Sequence, residues 1–181
     1  MFNILKAGLE IAPKNEIRYY MNGLHIARRE NILNVEATDG HIAFRATFTD
    51  PDVVNMFPLE FDKILSHASL SQMMKIFKKN DVVQFDILDD AITVKGLRIE
   101  TIDGNFPQID RVLNGLENKR GTSTGLTFSL LERVGKVAKI AMQSVKVETG
   151  VMNCGDGISV IEFKFSIPQV EMVVVLSPAK V

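Results

Sequence analysis

Few residues in this sequence are placed to do chemistry. The histidines are His25, His41 and His67, and the single cysteine is Cys154. None of the histidines stands at metal-site spacing from another histidine or from Cys154. There is no glycine-rich phosphate loop and no nucleophile elbow. Asp39 and His41 form a pair suited to acid–base work, but an aspartate followed by glycine more readily bonds its own backbone in a turn. The expectation is therefore no catalytic residue, no metal, no cofactor, and a protein that is not an enzyme.

The spacing that does point to chemistry is cationic. Arg133, Lys136 and Lys139 recur every third residue and form one stripe on a helix, away from Leu130, Val134 and Val137. Lys75, Lys78 and Lys79 mark the outer side of an earlier helical stretch. The first helical stretch carries Lys6, with Glu10 a turn later. A solvated helix face accounts for each stripe taken alone. A surface facing nucleic-acid phosphate accounts for their recurrence in a chain whose net charge is −1, with acids such as Asp86, Asp89 and Asp90 kept elsewhere. Proteins that grip DNA by charge alone are strongly basic. Near-neutrality therefore implies either another partner or another means of holding DNA, such as encirclement.

These side chains need a scaffold, and the chain of 181 residues, 46% hydrophobic, is long enough to bury a real core. Its longest apolar runs, such as Met172 to Leu176, are far too short to span a bilayer. The start Met1-Phe2-Asn3-Ile4-Leu5-Lys6 lacks the features of a secretion signal, and a lone cysteine makes no intrachain disulfide, so a cytoplasmic protein is expected. Apolar periodicity predicts helices over residues 2–11, 69–80 and 129–142, with capping-box pairs Ser69/Gln72 and Ser129/Glu132. Strands are predicted over residues 18–21, 24–28, 33–37, 42–47, 57–61, 82–88, 91–95, 98–102, 145–152, 158–165 and 171–176. Asn22-Gly23, Asp39-Gly40, Asp89-Asp90 and Gly96 read as turns, residues 49–52 as a polar break, and the glycine-rich residues 114–125 as a linker. The result is an α+β chain of about three cycles, each one helix and three strands over roughly 55–60 residues.

Four segments resemble the bacterial DNA polymerase III beta subunit, the beta sliding clamp, and occur in its order. They are Arg18-Tyr19-Tyr20-Met21-Asn22-Gly23, Ala37-Thr38-Asp39-Gly40-His41, the run from Ile102-Asp103-Gly104-Asn105-Phe106-Pro107 to Gln108-Ile109-Asp110-Arg111-Val112-Leu113, and Val173-Val174-Val175-Leu176-Ser177-Pro178. The resemblance implies the DNA clamp fold, built from helix-plus-strands modules with helices on one face of the sheets. Residues 1–113 correspond to one clamp domain of two modules, and residues 126–181 to half of another. It also implies a processivity factor that encircles duplex DNA without reading its sequence. Lys6, Lys75, Lys78, Lys79, Arg133, Lys136 and Lys139 would face the phosphates.

The family also captures hydrophobic peptides of polymerases and clamp loaders in a pocket. Thr38, Pro107 and Val112 match its lining, Val174 and Leu176 approximate its tail residues, and Ile42 and Ala43 stand where the family has a basic residue and leucine. The tail places Ser177-Pro178 where the family's proline comes sooner, so the resemblance implies altered specificity. Three modules are half of the family's six per chain. A homo-oligomeric ring then calls for a tetramer, with the unpaired third module joining its counterpart across a two-fold axis; a trimer or dimer is the alternative. The rival function is a monomeric clamp-like decoy that competes for clamp partners. The short length points to a phage or mobile element.

Overall fold

In a computed structural model of the chain, residues 1–78, 84–88, 91–114, 128–141, 148–154 and 158–176 are described. Helix α1 (Phe2–Leu9) leads into strands β1 (Gly23–Arg29), β2 (Ile32–Thr38) and β3 (Ile42–Phe48). After the short helix α2 (Pro51–Val54) come β4 (Asp62–Ser66) and α3 (His67–Ile76). Then follow β5 (Asp86–Leu88), β6 (Ala91–Val94), β7 (Leu97–Ile99), β8 (Thr101–Ile102) and α4 (Ile109–Asn114). The last cycle is α5 (Phe128–Ala141), β9 (Glu148–Cys154), β10 (Ile158–Ile167) and β11 (Val170–Leu176). The expected linker, residues 82–83, 89–90 and 145–147, and Ser177-Pro178 lie outside the described residues, apart from Asn114 at the end of α4. No helix among the described residues is long and apolar enough to cross a membrane.

The strands form one eight-stranded antiparallel sheet, in the order β8-β4-β1-β2-β3-β11-β10-β9, and a smaller sheet β5-β6-β7. The third cycle is therefore not unpaired. Its strand β11 runs antiparallel to β3 of the same chain, with Leu176 opposite Ile42, Val174 opposite Phe44 and Val170 opposite Phe48. These residues are buried, each worth about 1.5–3 kcal/mol relative to exposure. This joins the third cycle to the first within the chain, and among the described strands β8 and β9 are the two outer strands of the large sheet. Helix α1 lies on β1, β2 and β3, with α5 packed along one side of it and α3 touching the other. All three contribute to one core cluster.

Several local readings change for physical reasons. Residues 18–21 hold a 3-10 turn, Tyr19–Met21, rather than a strand. Phe57 and Phe61 look like alternate residues of a strand, but a turn closes between them, with Phe61 N–H donating to the Pro58 carbonyl at 3.2 Å. Both rings enter the core, 5.1 Å apart. The strand follows at β4, where Asp62 and Lys63 hide it. Helix α3 starts at His67, so Ser69 is not its cap; its hydroxyl instead accepts from the Glu100 N–H at 3.3 Å. Likewise α5 starts before Ser129. The polar break contains α2, whose N-cap Asp50 accepts from the Asp52 N–H with Pro51 in the first turn.

The sheet face away from the helices carries a charged ladder. On neighbouring strands His25, Glu36 and Arg45 stand opposite one another. His25 Nδ1 lies 2.7 Å from Glu36 and Nε2 lies 2.8 Å from Asp62. Arg45 donates to Glu36 at 2.6 Å and to Asp110 at 2.6 Å. Glu36 is buried and tolerable there because both neighbours bond it. The ladder also fastens the segment after β8: Phe106 stacks on the His25 ring with centroids 4.8 Å apart, and Asp110 at the start of α4 pairs with Arg45. Burial of the His25 ring opposes its charge, but the bonds to Glu36 and Asp62 outweigh this and raise its pKa above 6.5.

Two measurements check this description. Gly23 opens β1 where a Cβ would lie 2.2 Å from the Leu65 carbonyl oxygen. Gly23→Ala is expected to cost about 1–3 kcal/mol in a urea unfolding titration; an unchanged midpoint would show that β1 and β4 are not this close. A histidine with raised pKa stabilises the fold fully below its unfolded value and loses that contribution as pH rises through its folded value. The stability advantage of wild type over His25→Gln should therefore be full below pH 6.5 and shrink in thermal melts as pH rises through the raised folded value. A constant advantage contradicts the ladder.

Candidate functional site

Two surfaces gather the candidate residues, one on the helix layer and one on the opposite face of the sheet. On the helix layer, a Cβ at Gly8 would touch Leu24 and Phe44, so this side of α1 rests on the sheet. At about 100° per residue, Lys6 then projects away from it, and it is exposed. In α3 the buried residues Leu70 and Met73 face inward and Lys75 is exposed opposite them. Lys78, just beyond α3, is also exposed, and Lys79 lies outside the described residues. In α5 the buried stripe is Val134, Val137 and Ala141. Lys136 and Lys139 are exposed on the far side, and Lys136 pairs with Glu132 at 3.1 Å. Such an exposed pair one turn apart is weak and leaves the ammonium group in solvent.

Arg133 departs from this stripe. Three-residue steps drift around a helix by about 60° each, so Arg133 falls on the flank of the buried stripe and not opposite it. Its guanidinium reaches across to α1, donating to the Ile11 carbonyl at 2.6 Å and to the Glu10 carbonyl at 3.3 Å, and it forms an ion pair with Asp39. These carbonyls close α1 and lack helical partners, and a cation is favoured at that end of the helix dipole. Arg133 thus ties α5 to the end of α1 and to the β2–β3 turn, and its guanidinium is engaged within the chain rather than set on the exposed stripe with Lys136 and Lys139.

On the other face, the turn between β2 and β3 is built as its sequence indicates. Asp39 Oδ1 accepts from the N–H groups of His41 at 2.8 Å and Ile42 at 3.0 Å, and Gly40 adopts φ 92°. Burial would raise the Asp39 pKa, but Arg133 and these N–H donors outweigh it and hold the carboxyl below its ordinary value. The Thr38 hydroxyl donates to the Ile42 carbonyl at 2.8 Å and accepts from the Gly40 N–H at 3.0 Å.

Register then sorts the pocket candidates. Thr38, Ala43 and Val175 stand opposite one another and share the face away from the helices. Ile42, Val174 and Leu176 point the other way, into the core. This corrects their assignment to a pocket lining: side chains alternate along a strand, so on the face of Thr38 and Ala43 the tail residue opposite Ala43 is Val175, with Val173 opposite Arg45. Pro107 is half-buried, held between the Phe106 stack and the Asp110 ion pair. Val112 belongs to α4, and its side chain is outside what is described. Thr38, Ala43 and Pro107 are thus on one face, where Val173, Val175 and Arg45 join them. The alternating pattern of β11 was the signal for the two valines, but a strand apolar on both faces does not reveal which side is which.

No protein-family model and no curated protein matches the chain. Solved structures do. The DNA polymerase sliding clamp from Pseudomonas aeruginosa with ligand aligns with TM-score 0.71 at 15% identity, covering 99% of this chain and 63% of that one. The DNA polymerase III subunit beta from Bartonella birtlesii bound to griselimycin aligns with TM-score 0.63 at 18% identity, covering 99% and 64%. The sliding clamp from Bacillus subtilis aligns with TM-score 0.60 at 15% identity, covering 99% and 62%. The chain spans less than two thirds of the length of each. Over nearly all its length it has the fold of the bacterial DNA polymerase sliding clamps.

Proposed function

We propose that this chain is a DNA sliding clamp: copies close into a ring around duplex DNA and tether a polymerase through peptides captured on the outer sheet face. The observation that carries the reading is the placement of α1 between α3 and α5 on one side of the large sheet, each helix offering exposed lysine away from its buried side. Lys6, Lys75, Lys136 and Lys139, with Lys78 beside α3, form the proposed inner wall. Flexible lysines that touch phosphate without reading bases suit a protein that must slide.

The ring is proposed as a tetramer of three-module arcs. Because the third module is joined to the first within the chain, the arc has two unlike ends, and we propose closure through head-to-tail contacts between them. Residues 1–113 are proposed as one clamp domain and residues 126–181 as half of another, joined by residues 114–125. The reading assigns no catalysis. A second reading, a monomeric decoy that competes for clamp-binding peptides, draws on the net charge of −1 and on the use of Arg133 inside the chain.

Light scattering with size exclusion separates the two: a discrete closed multimer is expected, and a monodisperse monomer leaves only the decoy. Reversing Lys6, Lys75 and Lys139 to glutamate together should reduce the salt dependence of DNA association, removing up to about three counterions from the slope, with circular dichroism unchanged. An unaltered slope removes these lysines from the wall.

A further inference from the structure

We propose that Arg133 is a positioning residue for peptide capture: it holds the β2–β3 turn in its binding shape from the neighbouring module. This inference rests on the reading of the outer sheet face as a peptide surface. Asp39 is the link, because its two carboxylate oxygens do different work. Oδ1 accepts the His41 and Ile42 N–H groups and so sets the turn. Oδ2 pairs with Arg133, which lies 94 residues further along the chain.

Arg133 is itself immobilised. Nη2 donates to the Ile11 carbonyl at 2.6 Å and Nε to the Glu10 carbonyl at 3.3 Å, while Nη1 faces Asp39. A planar guanidinium serves these three acceptors at fixed angles, which a lysine ammonium on a flexible stem cannot do. The side chain is only 25% exposed, so the pair is shielded more than a surface ion pair. From its other side the turn is held by Arg18, whose Nη2 donates to the Asp39 carbonyl at 3.2 Å and whose guanidinium lies about 3 Å from where a Cβ on Gly40 would stand. The turn is gripped between two arginines.

The gripped turn carries the proposed peptide contacts. Thr38 is tied into it through the Ile42 carbonyl and the Gly40 N–H, and Ala43, next along β3, lies opposite Thr38 and Val175. Releasing Arg133 frees one oxygen of Asp39 to rotate away and loosens the bonds of the other. The peptide face then depends on a residue of the helix layer that touches no peptide.

The test uses the full chain and a dye-labelled hydrophobic peptide from a bacterial replicative polymerase, read by fluorescence anisotropy, with amide hydrogen exchange at His41 and Ile42. Arg133→Met should weaken binding by roughly three- to thirtyfold and speed exchange at both amides. It should have no added effect in an Asp39→Asn background. Val137→Ala, which loosens the packing of α5 without touching the guanidinium, should change affinity by less than about twofold. Unchanged affinity in Arg133→Met, with wild type binding, overturns the positioning role and leaves peptide capture standing. An equal loss in Val137→Ala also overturns it, since general loosening of α5 then suffices. No binding by wild type overturns peptide capture, and this inference with it.

Discussion

The architecture depends on how the end of α1 is satisfied. A helix ends with carbonyls that have no partner within it and with the negative pole of its dipole. Here a partner comes from α5. Arg133 of α5 takes the Glu10 and Ile11 carbonyls, and the His67 ring at the start of α3 lies beside the Leu9 backbone. Burial holds the His67 pKa below its ordinary value and outweighs the raising influence of the Leu9 backbone, so the ring favours its neutral form. The end of the central helix is thus finished by a side chain of α5, while α3 packs beside α1. The strand joint β3–β11 works in the same sense on the sheet side. Isolated, β3 would expose an apolar edge, and β11 covers it with matched buried side chains.

Charge is sorted between the two faces of the molecule. Acids on the outer sheet face are locked to cations: Glu36 between His25 and Arg45, Asp62 between His25 and Arg29, Asp110 to Arg45. Lys6, Lys75, Lys136 and Lys139 of the helix layer are exposed. A chain with net charge of −1 can in this way show a polyanion a cationic side while its remainder is neutral or acidic. Such an arrangement is poor at gripping DNA and well matched to holding it by closure, because weak phosphate contacts permit movement along the duplex.

Much of this was legible in the residues. Periodicity placed all three long helices and most strands, since amphipathic patterns such as Val134-Val137-Ala141 have one physical solution. The Asp39-Gly40 turn was equally clear, because its bonds are local. What stayed hidden depends on tertiary partners. Asn22-Gly23 looks like a hairpin turn, yet Gly23 is demanded by the closeness of the Leu65 carbonyl, a contact no local pattern records. Arg133 looks like one of three equivalent cations, and only packing shows that it lies on the flank and finds carbonyls. Val174 and Leu176 were chosen over Val173 and Val175 because β11 is apolar on both faces, which erases the alternation that would set its register. The pairing of β11 with β3 joins residues more than a hundred positions apart and has no sequence signature.

Ring closure is the claim on which the functional account stands, and topology tests it most directly. The protein is assembled on nicked circular DNA, freed of unbound chain by gel filtration, and followed after the circle is cut once. Encirclement predicts persistence on the intact circle at salt high enough to abolish ordinary phosphate binding, and rapid loss once free ends exist. Equal departure from circular and cut DNA contradicts it.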